Sequence, residues 1–154
     1  TPATNLLYGL REALAMLHEQ GLERVFARHD RHAEATRRAV RAWGLEVLCQ
    51  DPREYSSSLT AVLMPDGADA DALRRLILER FDLSLGNGLG RLAGKVFRIG
   101  HLGDFNDLML AGTLAGIEMG LKASGLPLAG SGVAAALDHL TQPEAAPARR
   151  ASAA

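Results

Sequence analysis

Residues 94–103, GKVFRIGHLG, form a short apolar run that carries one arginine and is closed by glycines on both sides. An apolar run of this length between glycines predicts a strand, at 96–99. A guanidinium that loses its water there is costly unless an anion pairs with it. Gly100 and Gly103 have no side chains, so they leave room for backbone and ligand beside Arg98. The run therefore predicts a strand that presents Arg98 to an anion.

The identity of that anion follows only partly from the residue type. A planar guanidinium with five donors suits a carboxylate held by two parallel hydrogen bonds. Arg98 could therefore bind the carboxylate of a small acid. It could equally pair with an Asp or Glu of its own chain, because ion pairs inside proteins are common. The chemistry of the residue leaves both interpretations open.

The periodicity of the remaining chain predicts helices around a small sheet. An apolar stripe begins after Thr4, Gly21 interrupts it, and a second long helix ends near Gly44. Strands are predicted at 45–48, 58–64, 82–85 and 96–99, helices at 69–81 and 106–124, and a weak helix at 133–140. This order predicts an α+β fold in which a small antiparallel or mixed sheet has helices packed on one face. Tyr8 and Trp43 are predicted to lie in the core.

Composition fits one modest domain and gives no support to several function classes. The 154 residues can bury one core, and the net charge of −1 gives no electrostatic argument for nucleic acid or a membrane surface. No apolar run approaches the roughly 20 residues that cross a bilayer. Cys49 is the sole cysteine, which excludes an internal disulfide and favours a reducing, cytoplasmic compartment.

Three other features offer weaker candidate sites. The glycine run 86–90 is not a dinucleotide-binding motif, because Arg91 follows it and a strand comes next; it predicts a mobile loop beside the substrate. His29 and His32 could share a metal, but ordinary helix histidines are the favoured interpretation. His101 could orient groups behind Arg98, or could simply end the strand or contact another domain.

The arginines of the second helix, six between positions 24 and 41, could follow phosphates along a nucleic acid. Acidic residues are interleaved with them and no aromatic series accompanies them, so a solvated helix face is favoured.

The motifs together resemble a known family. They are GNGLG at 86–90, GKVFRIG at 94–100, TPATNLLYGLRE at 1–12 and HLGDFNDL at 101–108. This combination resembles the C-terminal small domain of class V, fold-type I aminotransferases, in particular the serine–glyoxylate and alanine–glyoxylate aminotransferases.

The resemblance also implies a division of the chain. It covers residues 1–125, and we expect a weak helical extension at 126–141 and a disordered tail at 142–154.

The resemblance implies roles for two residues. Arg98 would bind the substrate α-carboxylate, and Thr1 would help to bind the phosphate of pyridoxal 5′-phosphate in the neighbouring subunit of a homodimer. The family's Schiff-base lysine lies upstream of this segment, whereas this chain has only Lys95 and Lys122. We therefore expect no catalytic residue in this chain, which would be an incomplete and inactive C-terminal part.

In the full-length enzyme, the resemblance implies transfer of an amino group from L-serine or L-alanine to glyoxylate. The alternative is a catalytically inactive α+β module for binding or dimerisation, or a remnant.

Overall fold

The computed structural model describes residues 2–143, which form helices and one antiparallel sheet. The helices are α1 Thr4–Gln20, α2 Leu22–Ala42, α3 Ala70–Phe81, α4 Asp107–Ala123 and α5 Gly132–Leu140. The strands are β1 Glu46–Val47, β2 Leu59–Leu63, β3 Gly86–Asn87 and β4 Val96–Gly100, in the order β1-β2-β4-β3. Short 3₁₀ turns lie at Pro52–Glu54 and Gly90–Leu92.

The helices α2 to α5 cover one face of the sheet, which confirms the predicted α+β class. Val62, Phe97 and Ile99 point from β2 and β4 into the same fully buried cluster as the helices. The helix side chains that complete this core include Ala39, Val40, Trp43, Leu73, Ile77, Leu110, Leu114, Ile117, Leu121, Ala136 and Leu140.

Local signals place several helix ends as predicted. Gly44 has φ +83°, and the amides of Gly44 and Leu45 donate to the carbonyls of Arg41 and Val40. This is the hydrogen-bond pattern by which a glycine closes a helix. Asn106 begins α4 because its side-chain oxygen accepts from the amide of Met109.

The third strand differs from its prediction. The pattern predicted it at 82–85, but it lies at Gly86–Asn87, within the glycine run. Asp82 adopts a left-handed conformation (φ 51°) as the C-cap of α3, and the chain pairs with β4 only from Gly86 onward. Glycine is depleted in strands, so residue preference alone points away from this position.

The helix α1 has no buried residue. The prediction that Tyr8 lies in the core was therefore wrong, since its side chain is 59% exposed, whereas Trp43 is buried as predicted. The apolar stripe of α1 also faces outward, with Leu6 at 75% exposure. Periodicity identifies the stripe but does not say what covers it.

One carboxylate joins α5 to the rest of the core. Glu118 of α4 accepts hydrogen bonds from Trp43 Nε1 (3.0 Å), Val133 N (3.0 Å), Ser131 Oγ (3.1 Å) and Lys122 Nζ (2.7 Å). Burial alone raises the pKa of Glu118, but these hydrogen bonds outweigh it and lower the pKa to about 2. The helix predicted near 133–140 is thus held by a buried ionic group.

Most of the expected tail, 144–154, lies outside the described residues, as does Thr1. Within residues 2–143, none of the helices is both long enough and apolar enough to span a bilayer.

Candidate functional site

The strand β4 presents Arg98 on the face of the sheet opposite the helices. Phe97 and Ile99 on either side of it point into the core, and successive side chains of a strand point to opposite faces. In the sheet register, Arg98 lies between Ala61 of β2 and Gly86 of β3. Both neighbours are small, so the guanidinium has space along this face.

No internal ion pair explains Arg98. Its side chain is half-buried and its Nε is buried without a hydrogen-bond partner. Within residues 2–143, none of the ion pairs involves Arg98. The predicted alternative, in which an Asp or Glu of this chain neutralises Arg98, therefore finds no support in the described residues. A buried donor without an acceptor is rare, because its lost hydration is not replaced.

The glycine that contacts the side chain of Arg98 is Gly86, the first residue of the glycine run 86–90. A Cβ added to Gly86 would lie 3.1 Å from both Cβ and Nε of Arg98, and 3.5 Å from its Cζ. A Cβ added to Gly100 or Gly103 would meet no atom within 4 Å. Neither glycine therefore makes room by avoiding a contact with Arg98, and the prediction that they leave room for a ligand stays a prediction. The sequence pattern identifies Gly86 only as part of this run, because its contact with Arg98 depends on strand pairing.

His101 is a buried structural residue. It lies beyond the end of β4, where its ring bonds Thr60 Oγ1 through Nε2 (3.0 Å) and Ser57 O through Nδ1 (3.2 Å). A carbonyl only accepts, so Nδ1 carries the proton and Nε2 accepts from the Thr60 hydroxyl. Burial lowers the pKa of His101 to about 4, so the ring is neutral at pH 7. These contacts place His101 in the core, so it orients the end of β4 and not the guanidinium of Arg98.

The loop after β4 is held by α2. Arg28 donates from Nη1 to the carbonyls of Gly103 (2.7 Å) and Phe105 (2.9 Å). His29 donates through Nδ1 to the carbonyl of Val25 (2.7 Å), and its Nε2 accepts from the amide of Gly103 (3.1 Å). Arg28 is thus not part of a purely solvated arginine face. The hydrogen bonds fix the position where the chain leaves β4.

His32 has a different partner from His29. It is fully buried and its Nε2 lies 2.8 Å from Oδ1 of Asp107 at the start of α4. Burial lowers the pKa of His32, and Asp107 partly opposes that shift. The two histidines therefore serve separate contacts, and residues 2–143 contain no cluster of three His, Cys, Asp or Glu side chains suited to a metal.

The two lysines lie on different elements of the fold. Lys122 belongs to α4, on the helix side of the sheet, and pairs with Glu118. Lys95 is exposed in the turn before β4.

Comparison with known proteins relates the chain to glyoxylate aminotransferases, although no family model matches it. It is 52% identical over 143 residues to the serine–glyoxylate aminotransferase of Methylorubrum extorquens, covering 92% of this chain and 36% of that protein. It is 45% identical over 153 residues to the L-aspartate–glyoxylate aminotransferase of Paracoccus denitrificans, covering 99% of this chain and 39% of that protein.

A solved structure shares the fold. The ureidoglycine–glyoxylate aminotransferase of Bacillus subtilis has a TM-score of 0.86 at 34% identity, covering 92% of this chain and 37% of that one. The chain thus spans little more than a third of the length of the proteins it matches.

Proposed function

We propose that this chain, which matches a C-terminal part of class V aminotransferases, binds the carboxylate of the substrates in a pyridoxal-phosphate-dependent transaminase. Arg98 is the residue that carries this role. The single observation behind it is the Arg98 guanidinium on the sheet face opposite the helices, with a buried Nε that has no acceptor in the described chain.

One arginine can serve both half-reactions of such an enzyme. An amino acid and a 2-oxo acid both carry a carboxylate next to the carbon that exchanges its amino group. Two parallel hydrogen bonds from Arg98 would fix the rotation of that carboxylate as well as its position. Fixing the reacting carbon in this way lowers the entropic part of the activation free energy of the chemical step.

We propose glyoxylate as the acceptor and L-serine as the donor. The three relatives named above share glyoxylate in their names but differ in the amino donor, which is serine, aspartate or ureidoglycine. Because this chain is similar to all three proteins, we expect it to bind the group that their substrates have in common, which is the carboxylate. The choice of L-serine rests on the higher identity to the Methylorubrum protein; L-alanine and a serine–pyruvate reaction are the runners-up.

The described residues do not by themselves fit the cofactor. Pyridoxal 5′-phosphate needs an amine beside the bound substrate, whereas Lys122 is ion-paired on the helix side of the sheet and Lys95 is exposed. Thr1, which the resemblance assigns to the cofactor phosphate of a neighbouring subunit, lies outside the described residues. We therefore assign substrate anchoring to this chain and derive no step through the cofactor.

Residues 1–125 remain our proposed small domain, in a homodimer. The exposed apolar stripe of α1 fits a position at a junction with another domain or subunit. The helix α5 shares the core of this unit through Ala136 and Leu140, so the proposed extension at 126–141 packs against the small domain.

Substitution of Arg98 tests the proposal in the complete gene product. We expect Arg98→Ala to raise KM for both the amino donor and glyoxylate by about 30-fold to 1,000-fold, because losing a charged bidentate contact costs about 2–4 kcal/mol. Arg98→Lys should also bind poorly, since an ammonium lacks the planar pair of donors.

The matched control is Arg75→Ala, an exposed arginine on α3, which should leave both KM values unchanged. Unchanged KM values in Arg98→Ala would remove Arg98 from the substrate site. If the complete gene product forms no internal aldimine with pyridoxal phosphate, as judged by its absorbance, the inactive binding module becomes the better description.

A further inference from the structure

We propose that Gly86 is a positioning residue for Arg98: its missing side chain lets the guanidinium lie against β3 in the orientation that receives a carboxylate. The inference rests on the proposed function, in which Arg98 binds that carboxylate. It adds a second residue to the site, contributed by a different strand.

The register brings the two residues together. Gly86 pairs directly with Arg98 across β3 and β4, so both side-chain positions lie on the same face of the sheet. A Cβ on Gly86 would lie 3.1 Å from Nε and 3.1 Å from Cβ of Arg98. Contacts between carbon atoms are optimal at about 3.5–4.0 Å. An alanine would therefore push Arg98 aside by a few tenths of an ångström.

The backbone gives no other reason for a glycine at this position. Gly86 is absent from the glycines with positive φ, which include Gly90 and Gly94 in the same region. A residue with a side chain could adopt its conformation, and glycine weakens a strand relative to other residues. Close approach of another group is the usual reason for glycine in a strand. Here the approaching group is the side chain of Arg98.

A small displacement matters because a bidentate contact is sensitive to geometry. Binding groups need to be held within about 0.5 Å of their productive position, and a displacement of a few tenths of an ångström takes up most of that tolerance. In the sheet register, Arg98 lies between Ala61 and Gly86, so a methyl group at position 86 acts on its side chain from one side. We expect the carboxylate contact to weaken while the rest of the sheet remains intact.

The pair Gly86→Ala and Gly112→Ala tests this inference. Gly112 is an exposed glycine of α4, its φ is not positive, and a Cβ there would meet no atom within 4 Å. In the complete gene product, we expect Gly86→Ala to raise KM for both glyoxylate and the amino donor by about 10-fold, corresponding to loss of one of two charged hydrogen bonds. The value of kcat should change less than twofold, and Gly112→Ala should match the parent protein.

A double-variant cycle shows whether Gly86 acts through Arg98. In an Arg98→Ala background, Gly86→Ala should raise KM no further, because the contact it disturbs is already absent. An equal further increase in that background, or a Gly86→Ala variant that behaves like Gly112→Ala, would overturn the inference while leaving Arg98 in its proposed role. If Arg98→Ala alone leaves KM unchanged, the proposed function itself fails.

Loss of folding in Gly86→Ala would also be informative. Recovery of the circular dichroism spectrum on adding Arg98→Ala would locate the collision on the arginine side chain and support the inference. Failure to recover would assign Gly86 to the backbone pairing of β3 and overturn it.

Discussion

Replacing Glu118 with alanine should destabilise the chain by about 4 kcal/mol. Glu118 is 6% exposed and accepts four hydrogen bonds. Its removal leaves the indole N–H of Trp43, which is 1% exposed, and the amide of Val133 without acceptors. A buried donor that loses its acceptor costs about 1–3 kcal/mol, and the exposed Lys122 adds at most about 1 kcal/mol.

The Glu118→Gln variant separates hydrogen bonding from charge. One carboxylate oxygen, Oε2, receives the bonds from Trp43, Ser131 and Val133, while Oε1 receives only Lys122. A glutamine can place its carbonyl oxygen at the first position and its amide towards Lys122. We therefore expect Gln to cost about 1–2 kcal/mol, less than Ala.

The ionisation of Glu118 should also make the stability of the fold depend on pH. Its pKa of about 2 lies below the ordinary value of 4.5, so the native state favours the ionised form. This stabilisation, roughly 3 kcal/mol at 1.36 kcal/mol per pKa unit, is complete above pH 4.5 and is lost as the pH falls towards 2. In Glu118→Gln, that part of the acid destabilisation should disappear.

Urea unfolding provides the measurement for these variants. Trp43 is the sole tryptophan and touches Glu118, so its fluorescence reports on this contact, and circular dichroism reports on the whole fold. The control is Glu79→Ala, an exposed glutamate on α3, expected within about 0.5 kcal/mol of the parent. A Glu118→Ala variant no less stable than Glu79→Ala would refute the reasoning.

Three further outcomes are expected. Gly120→Ala should destabilise the chain by about 1–3 kcal/mol in urea, because its Cβ would lie 2.2 Å from Cγ1 of Ile77, whereas Gly112→Ala, with no atom within 4 Å, should not. In the parent protein, burial lowers the pKa of His101 to about 4, so between pH 6.5 and 4 the unfolded chain binds a proton that the native state does not, and stability falls as the pH falls. In His101→Gln this loss of stability should be smaller. An unchanged dependence of the unfolding free energy on pH would contradict this. The Leu6 side chain is 75% exposed, so Leu6→Gln should change the unfolding free energy of this chain by no more than about 0.5 kcal/mol. A clear fall in the melting temperature of the complete gene product with the same substitution would place α1 at a junction with another domain or subunit.

The order of helices and strands could be predicted because it depends on signals between near neighbours in sequence. Gly21, Gly44 and Asn106 interrupt, close or cap a helix through groups a few residues away. The strand β4 was also found, since an apolar run between glycines is a local pattern. With it came Arg98, whose type and position already indicated an anion.

The environment of Arg98 could not be predicted from the sequence, because strand pairing between distant residues creates it. Gly86 pairs with Arg98, so the third strand lies at Gly86–Asn87 and not at the predicted 82–85, and Gly86 is the glycine that contacts the Arg98 side chain.

The sequence by itself therefore determined the helices, the strands other than β3, and which arginine lies in an apolar strand. The tertiary structure alone decided which groups face one another, as when Trp43 meets Glu118 across 75 residues of chain. The physical reason is the distance along the chain over which each kind of interaction acts. Caps and periodicity act over one or two turns, whereas hydrogen bonds across a core arise only once the hydrophobic faces have packed.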